Sequence, residues 1–96
     1  MSEITELKPP PAVETASRAM ELARIWIVDK KQQICLSGNL WDDPAVWGLM
    51  LVDLARHVSN AYENQGRNKK EVLEQILEAF EAEWQHPTDT AEQLGA

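Results

Sequence analysis

Asp53, Arg56, His57 and Asn60 are the residues of this chain whose types and spacing could do chemistry. Asp53 and His57 stand one helical turn apart. There a carboxylate can orient an imidazole, preparing a general base or supplying two metal ligands. A metal site usually needs a third and fourth ligand from protein or water, so two on one helix are a weak signal. The group therefore reads as an ionic pair on a helix surface, or as a polar contact at a subunit boundary. The alternative is a small-molecule-binding or catalytic site built on these four residues. Cys35 is the single cysteine, which permits no internal disulfide and no multi-cysteine zinc site. It sits in a predicted strand without a basic neighbour in sequence and reads as an inert, half-buried thiol. His86 precedes Pro87, where an imidazole can meet the last carbonyls of a helix. The glycines are isolated at 38, 48, 66 and 95, and the chain carries no GxSxG, P-loop or dinucleotide turn. No catalytic, cofactor-binding or metal residue is assigned, and no cofactor is expected.

The element that positions the polar group is a helix over about 44–64. Pro44 suits a first helical position, Asp43 can accept from the free amides of the first turn, and Asp42 adds negative charge at the positive dipole end. Trp47, Met50, Leu51, Leu54, Ala55, Val58, Ala61 and Tyr62 share one broad face, with Arg56, Ser59, Asn60 and Glu63 opposite. Val46, Leu49 and Val52 lie on what should be the polar side, so the first half is expected to be buried all round. Glycine at 66 suits the end of this helix. A second helix follows over about 69–85. Asn68 with Glu71 gives the spacing of a capping box, and Val72, Leu73, Ile76, Leu77, Phe80 and Trp84 form its apolar stripe. Glu71, Glu74, Glu78 and Glu81 form a solvated stripe opposite, and Pro87 ends the helix.

Two strands precede the helices, over about 21–28 and 33–37. A loop of two residues, Lys30 and Lys31, or of four, 29–32, sets Ile27 opposite Ile34 and Ile25 opposite Leu36. Ala23, Ile25, Ile27, Ile34 and Leu36 then share one apolar face, which is expected to pack on the central helix. A three-residue loop would instead group Trp26 and Val28 with Ile34 and Leu36. Residues 1–11 read as a flexible tail with three consecutive prolines, 12–87 as one compact α+β domain, and 88–96 as a second tail. A short helical turn within 12–20 is an open question. The fold class is thus a β-hairpin followed by two antiparallel helices.

A net charge of −7 argues against a nucleic-acid partner, since phosphate binding needs a basic surface. No apolar run approaches the roughly 20 residues that cross a bilayer, and the acidic start lacks the features of a secretion signal. A cytoplasmic protein with no membrane association is expected. Trp26, Trp41, Trp47 and Trp84 read as core or interface residues, with Trp47 and Trp84 inside and Trp26 left over. A hairpin is marginal alone, and two helices cover only one of its faces. Trp26, Val28, Val46, Leu49 and Val52 lack an intrachain partner and are the candidate interface. The expected assembly is a homodimer, formed either by hairpins meeting edge to edge or by central helices pairing through Val46, Leu49 and Val52.

The succession LARIWIVDKKQQICLSG, WDDPAVWGLMLVDLARHV and EAFEAEWQHPTD, with its WDDP, WG and DLARHV segments, resembles a small bacterial family classed as a domain of unknown function. The resemblance spans about 21–89 and implies a compact α+β domain, with no activity, substrate or cofactor to carry over. The function expected is a non-enzymatic protein-interaction module.

Overall fold

The computed structural model describes residues 3–38 and 40–88. The expected second tail falls, from 89 onward, outside the described residues. The architecture is α+β: one turn of helix α1 (Ala12–Thr15), strands β1 (Ala23–Val28) and β2 (Lys31–Leu36), and helices α2 (Ala45–Asn64) and α3 (Lys69–Gln85).

The hairpin closes through two residues, Asp29 at φ 49° and Lys30 at φ 71°. Both lie in the left-handed region, the geometry of the primed turn whose twist matches antiparallel strands. The loop is therefore one residue earlier than the sequence pattern suggests, and the pairing slips by two. Ile25 faces Ile34, Ile27 faces Gln32, and Ala23 faces Leu36. A slip of two preserves which side each residue occupies. Ala23, Ile25, Ile27, Ile34 and Leu36 do share a face, with Gln32 joining it near the turn.

Asp43 and Pro44 start α2 as their chemistry dictates. Pro44 has helical backbone angles, and the Ala45 amide donates to Asp43 Oδ1 at 3.0 Å. The helix ends on Gly66 at φ 90°. The Arg67 amide donates to the Tyr62 carbonyl at 3.1 Å and the Gly66 amide to the Glu63 carbonyl at 2.9 Å. Those two bonds make a Schellman closure, which requires a left-handed residue where glycine stands. Two residues on, Asn68 caps α3 by accepting from the Glu71 amide at 3.0 Å. The connection of 65–68 thus reverses the chain between two well-made termini.

Of the described residues, Ser59 on α2 is 0 % exposed and Val72 on α3 is 4 % exposed, and no other is fully buried. They mark where the helices approach most closely. Serine was expected on the solvent side of α2, but its hydroxyl donates to the Ala55 carbonyl at 3.0 Å. A polar group satisfied on its own helix can be buried without penalty for a missing partner. Its small size, with Ala55 one turn away, lets the second backbone come near. The α2 face that meets α3 is thus centred on Ala55 and Ser59 rather than on the Leu54 and Val58 side.

The hairpin does not pack on the central helix within the chain. No residue of β1 or β2 comes within 8 Å, Cα to Cα, of α2 or α3. Ile25, Ile34 and Leu36 are more than half exposed, and Ile27 is exposed as well. The segment before β1 reaches the hairpin through Arg24, whose guanidinium pairs with Glu6 at 2.7 Å and with Glu21. Glu21 above all, then Glu6, holds the Arg24 pKa above its ordinary value. Ser37 Oγ also meets Met20 Sδ at 3.7 Å.

Candidate interaction surface

The polar group on α2 is brought to one exposed side of the helix. Asp53, Arg56, His57 and Asn60 are all exposed, and no hydrogen bond or ion pair joins them among the described residues. The expected ionic pair is therefore not made within the chain. Among the described residues no group of three His, Cys, Asp or Glu could hold a metal ion. Cys35 is exposed rather than half-buried. At the end of α3 it is the backbone amide of His86 that closes the helix, donating to the Ala82 carbonyl at 2.9 Å. Beyond Pro87, the Thr88 amide and hydroxyl both donate to Glu83 Oε1 at 2.9 Å. These bonds, the amide's first, lower the Glu83 pKa below its ordinary value.

The surface that stands out is apolar. Val46 is half-buried, but Leu49 is 68 % exposed and Val52 is half exposed, so the first half of α2 is not buried all round by its own chain. Trp47 is half-buried, its ring edge-on to Trp41 with centroids 4.8 Å apart. Trp84, expected inside, is 75 % exposed, and Phe80 and Leu77 beside it are more than half exposed. Trp26 is half-buried, while Val28 is exposed.

Helical periodicity sorts these side chains into two flanks. With Ala55 and Ser59 facing α3, Leu51, Leu54 and Val58 fall on one side, and Val52 and Leu49 on the other. On α3, with Val72 and Ile76 facing α2, Leu77, Phe80 and Trp84 all fall on a single side. Two antiparallel helices of the same hand bring corresponding sides together. Leu49 and Val52 therefore stand on the same side of the helix pair as Phe80 and Trp84. The Phe80 and Trp84 rings lie 16° from parallel with centroids 6.1 Å apart. With Glu81 and Gln85 they line an open depression of about 340 Å³. A second hollow of about 240 Å³ lies along the hairpin between Glu21–Arg24 and Cys35–Ser37. Neither is enclosed.

Residues 6–88 match the model of a family described as a domain of unknown function, DUF5076. The chain belongs to that family. It is also similar, at 38% identity, to a solved structure from the photosynthetic bacterium Rhodopseudomonas palustrus CGA009, described as "a putative pyruvate dehydrogenase". The alignment covers 94% of this chain and 92% of that one, with a TM-score of 0.71. No curated protein matches the chain.

Proposed function

We propose that this chain is a non-enzymatic protein-interaction module that works as a homodimer. The observation that carries the reading is surface. The chain exposes 8997 Å², against about 5,600 Å² for a folded monomer of this mass. Its radius of gyration is 15.7 Å, against about 12.5 Å for a compact domain of this length. The extended segment before β1 contributes to that difference. So do the large apolar residues of the hairpin and of α2 and α3 that stand exposed, where a closed core would bury them. An exposed apolar surface of this extent is the mark of an association site.

The enzyme reading has less support. A substrate is ordinarily held in a cleft that surrounds most of it, and the two hollows described are open. The Asp53, Arg56, His57 and Asn60 group lies on a convex helix surface beside Leu49, as a polar rim would. The pyruvate dehydrogenase description is that of the similar protein, and no geometry on this chain favours it. A bacterial, cytoplasmic setting fits the similar protein's source and the acidic charge. None of the helices described is long and apolar enough to cross a membrane. Sedimentation equilibrium at micromolar concentration is expected to give twice the chain mass, and a monomer mass across the accessible range would overturn the proposal.

A further inference from the structure

The geometry points to a reciprocal exchange: the apolar hairpin face of one copy lies across the Leu49, Val52, Phe80 and Trp84 flank of a second copy. This rests on the homodimer reading and says which surfaces meet. Three observations converge on a second copy of the same chain as the occupant.

The first is complementarity of kind. Each chain carries a flat apolar face on its hairpin and an apolar flank on its helix pair, and the two do not meet within the chain. Two copies related by a two-fold axis satisfy both faces in both chains at once. Edge-to-edge pairing of hairpins alone would leave Ile25, Ile27, Ile34 and Leu36 in water, and helix pairing alone would do the same.

The second is area. The surface in excess of a compact monomer is about 3,400 Å² per chain. An obligate dimer buries roughly 1,000 to 2,500 Å² on each partner. A face of four large residues set on a flank of similar extent therefore falls within that excess.

The third is shape and charge. The near-parallel Phe80 and Trp84 rings leave a hollow open on the flank, able to take a branched side chain from a facing strand. Glu81 lines that hollow, and Glu74 and Glu78 continue the acidic stripe along α3. At the tip of the hairpin Lys30 and Lys31 stand with Asp29, leaving a single net positive charge. Among the described residues neither these lysines nor those glutamates have an ion-pair partner. Laying the hairpin over α3 brings the basic tip toward the acidic stripe, which fixes one direction of docking.

The test uses two full-length chains in a Cys35→Ala background, one with Ile34→Cys and labelled throughout with heavy nitrogen, the other with Leu77→Cys at natural abundance, so that mixed and like pairs differ in mass. They are co-refolded and treated with a short bismaleimide. The expected result is a shift of the product to the mass of one chain of each kind. A third chain carrying both cysteines separates the alternatives, because a single chain bridged by one reagent, with no free thiol left, would show the hairpin folding back on its own helices and would overturn the exchange. Absence of any cross-link between the two positions, with sedimentation still giving a dimer, would overturn the exchange and leave the homodimer standing. Thermal melts of each variant alone establish that all three chains fold before the masses are compared.

Discussion

At Gly66 the chain turns through φ 90° with nothing within 4 Å of where a Cβ would lie. Any cost of Gly66→Ala is therefore a backbone cost, with no steric clash to add to it. The expected loss is about 1 kcal/mol, read as a lower urea midpoint with an unchanged slope. Glu83 makes a prediction about pH. Its pKa is lowered in the folded chain, so the stability it contributes is fully present above the ordinary carboxylate range. That stability is lost as pH falls through the lowered value. In an NMR titration, Glu83 should have its midpoint below the ordinary carboxylate value, and Thr88→Val should raise it only part of the way, because the amide bond remains. At this scale the sequence was legible where a residue acts on its own neighbours: Asp43, Asn68 and Gly66 each do what their chemistry suggests. Ser59 was not legible. A hydroxyl that satisfies itself on the carbonyl four residues back has no pattern that distinguishes it from one facing water. Nor did the Asp53 and His57 spacing reveal that the two side chains make no bond to each other.

Elements show the same division between local and distant. Hairpin and helix pair are both written in short-range signals, and both are present. The faces of the hairpin were readable because parity survives a slip of two, whereas the pairing itself was hidden in a turn made of Asp29 and Lys30 without a glycine. Close approach of α2 and α3 at Ser59 leads to a further expectation. Ser59→Leu would force a large side chain into the crossing and should destabilise by roughly 1 to 3 kcal/mol, as overpacked sites do, measured by thermal unfolding. Ile27→Asp tests the hairpin differently. Because Ile27 is exposed within the chain, this change should leave the circular dichroism of a dilute sample largely intact while abolishing the dimer mass. A dimer mass that survived the change would instead overturn the exchange.

For the whole molecule, the proposed assembly predicts linkage between association and stability. If two copies complete one core, the unfolding temperature must rise with protein concentration; a tenfold range should move it measurably, and a constant value would count against the dimer. Leu49→Glu should lower that temperature and remove its concentration dependence. The sequence pointed to Leu49 and Val52 as surfaces without a partner, and they are exposed. It could not show that the hairpin face is equally unpartnered, because alternation says only that a face is apolar. Which chain supplies the other half is a property of the linker path, and the segment between β2 and α2 carries no periodic signal.

The absence of close approach between hairpin and helices also has a kinetic consequence. Every strand pairing spans fewer than 15 residues, and the helix pair is joined by a four-residue connection, so neither unit waits on a long loop to close. Hairpins form in about 1 to 10 μs, and helices faster still. In stopped-flow refolding the backbone signal should therefore be largely complete within the dead time. Under the proposed exchange, tryptophan fluorescence, to which the exposed Trp84 contributes, should change later, in a second-order phase whose half-time shortens in proportion to the concentration of chains.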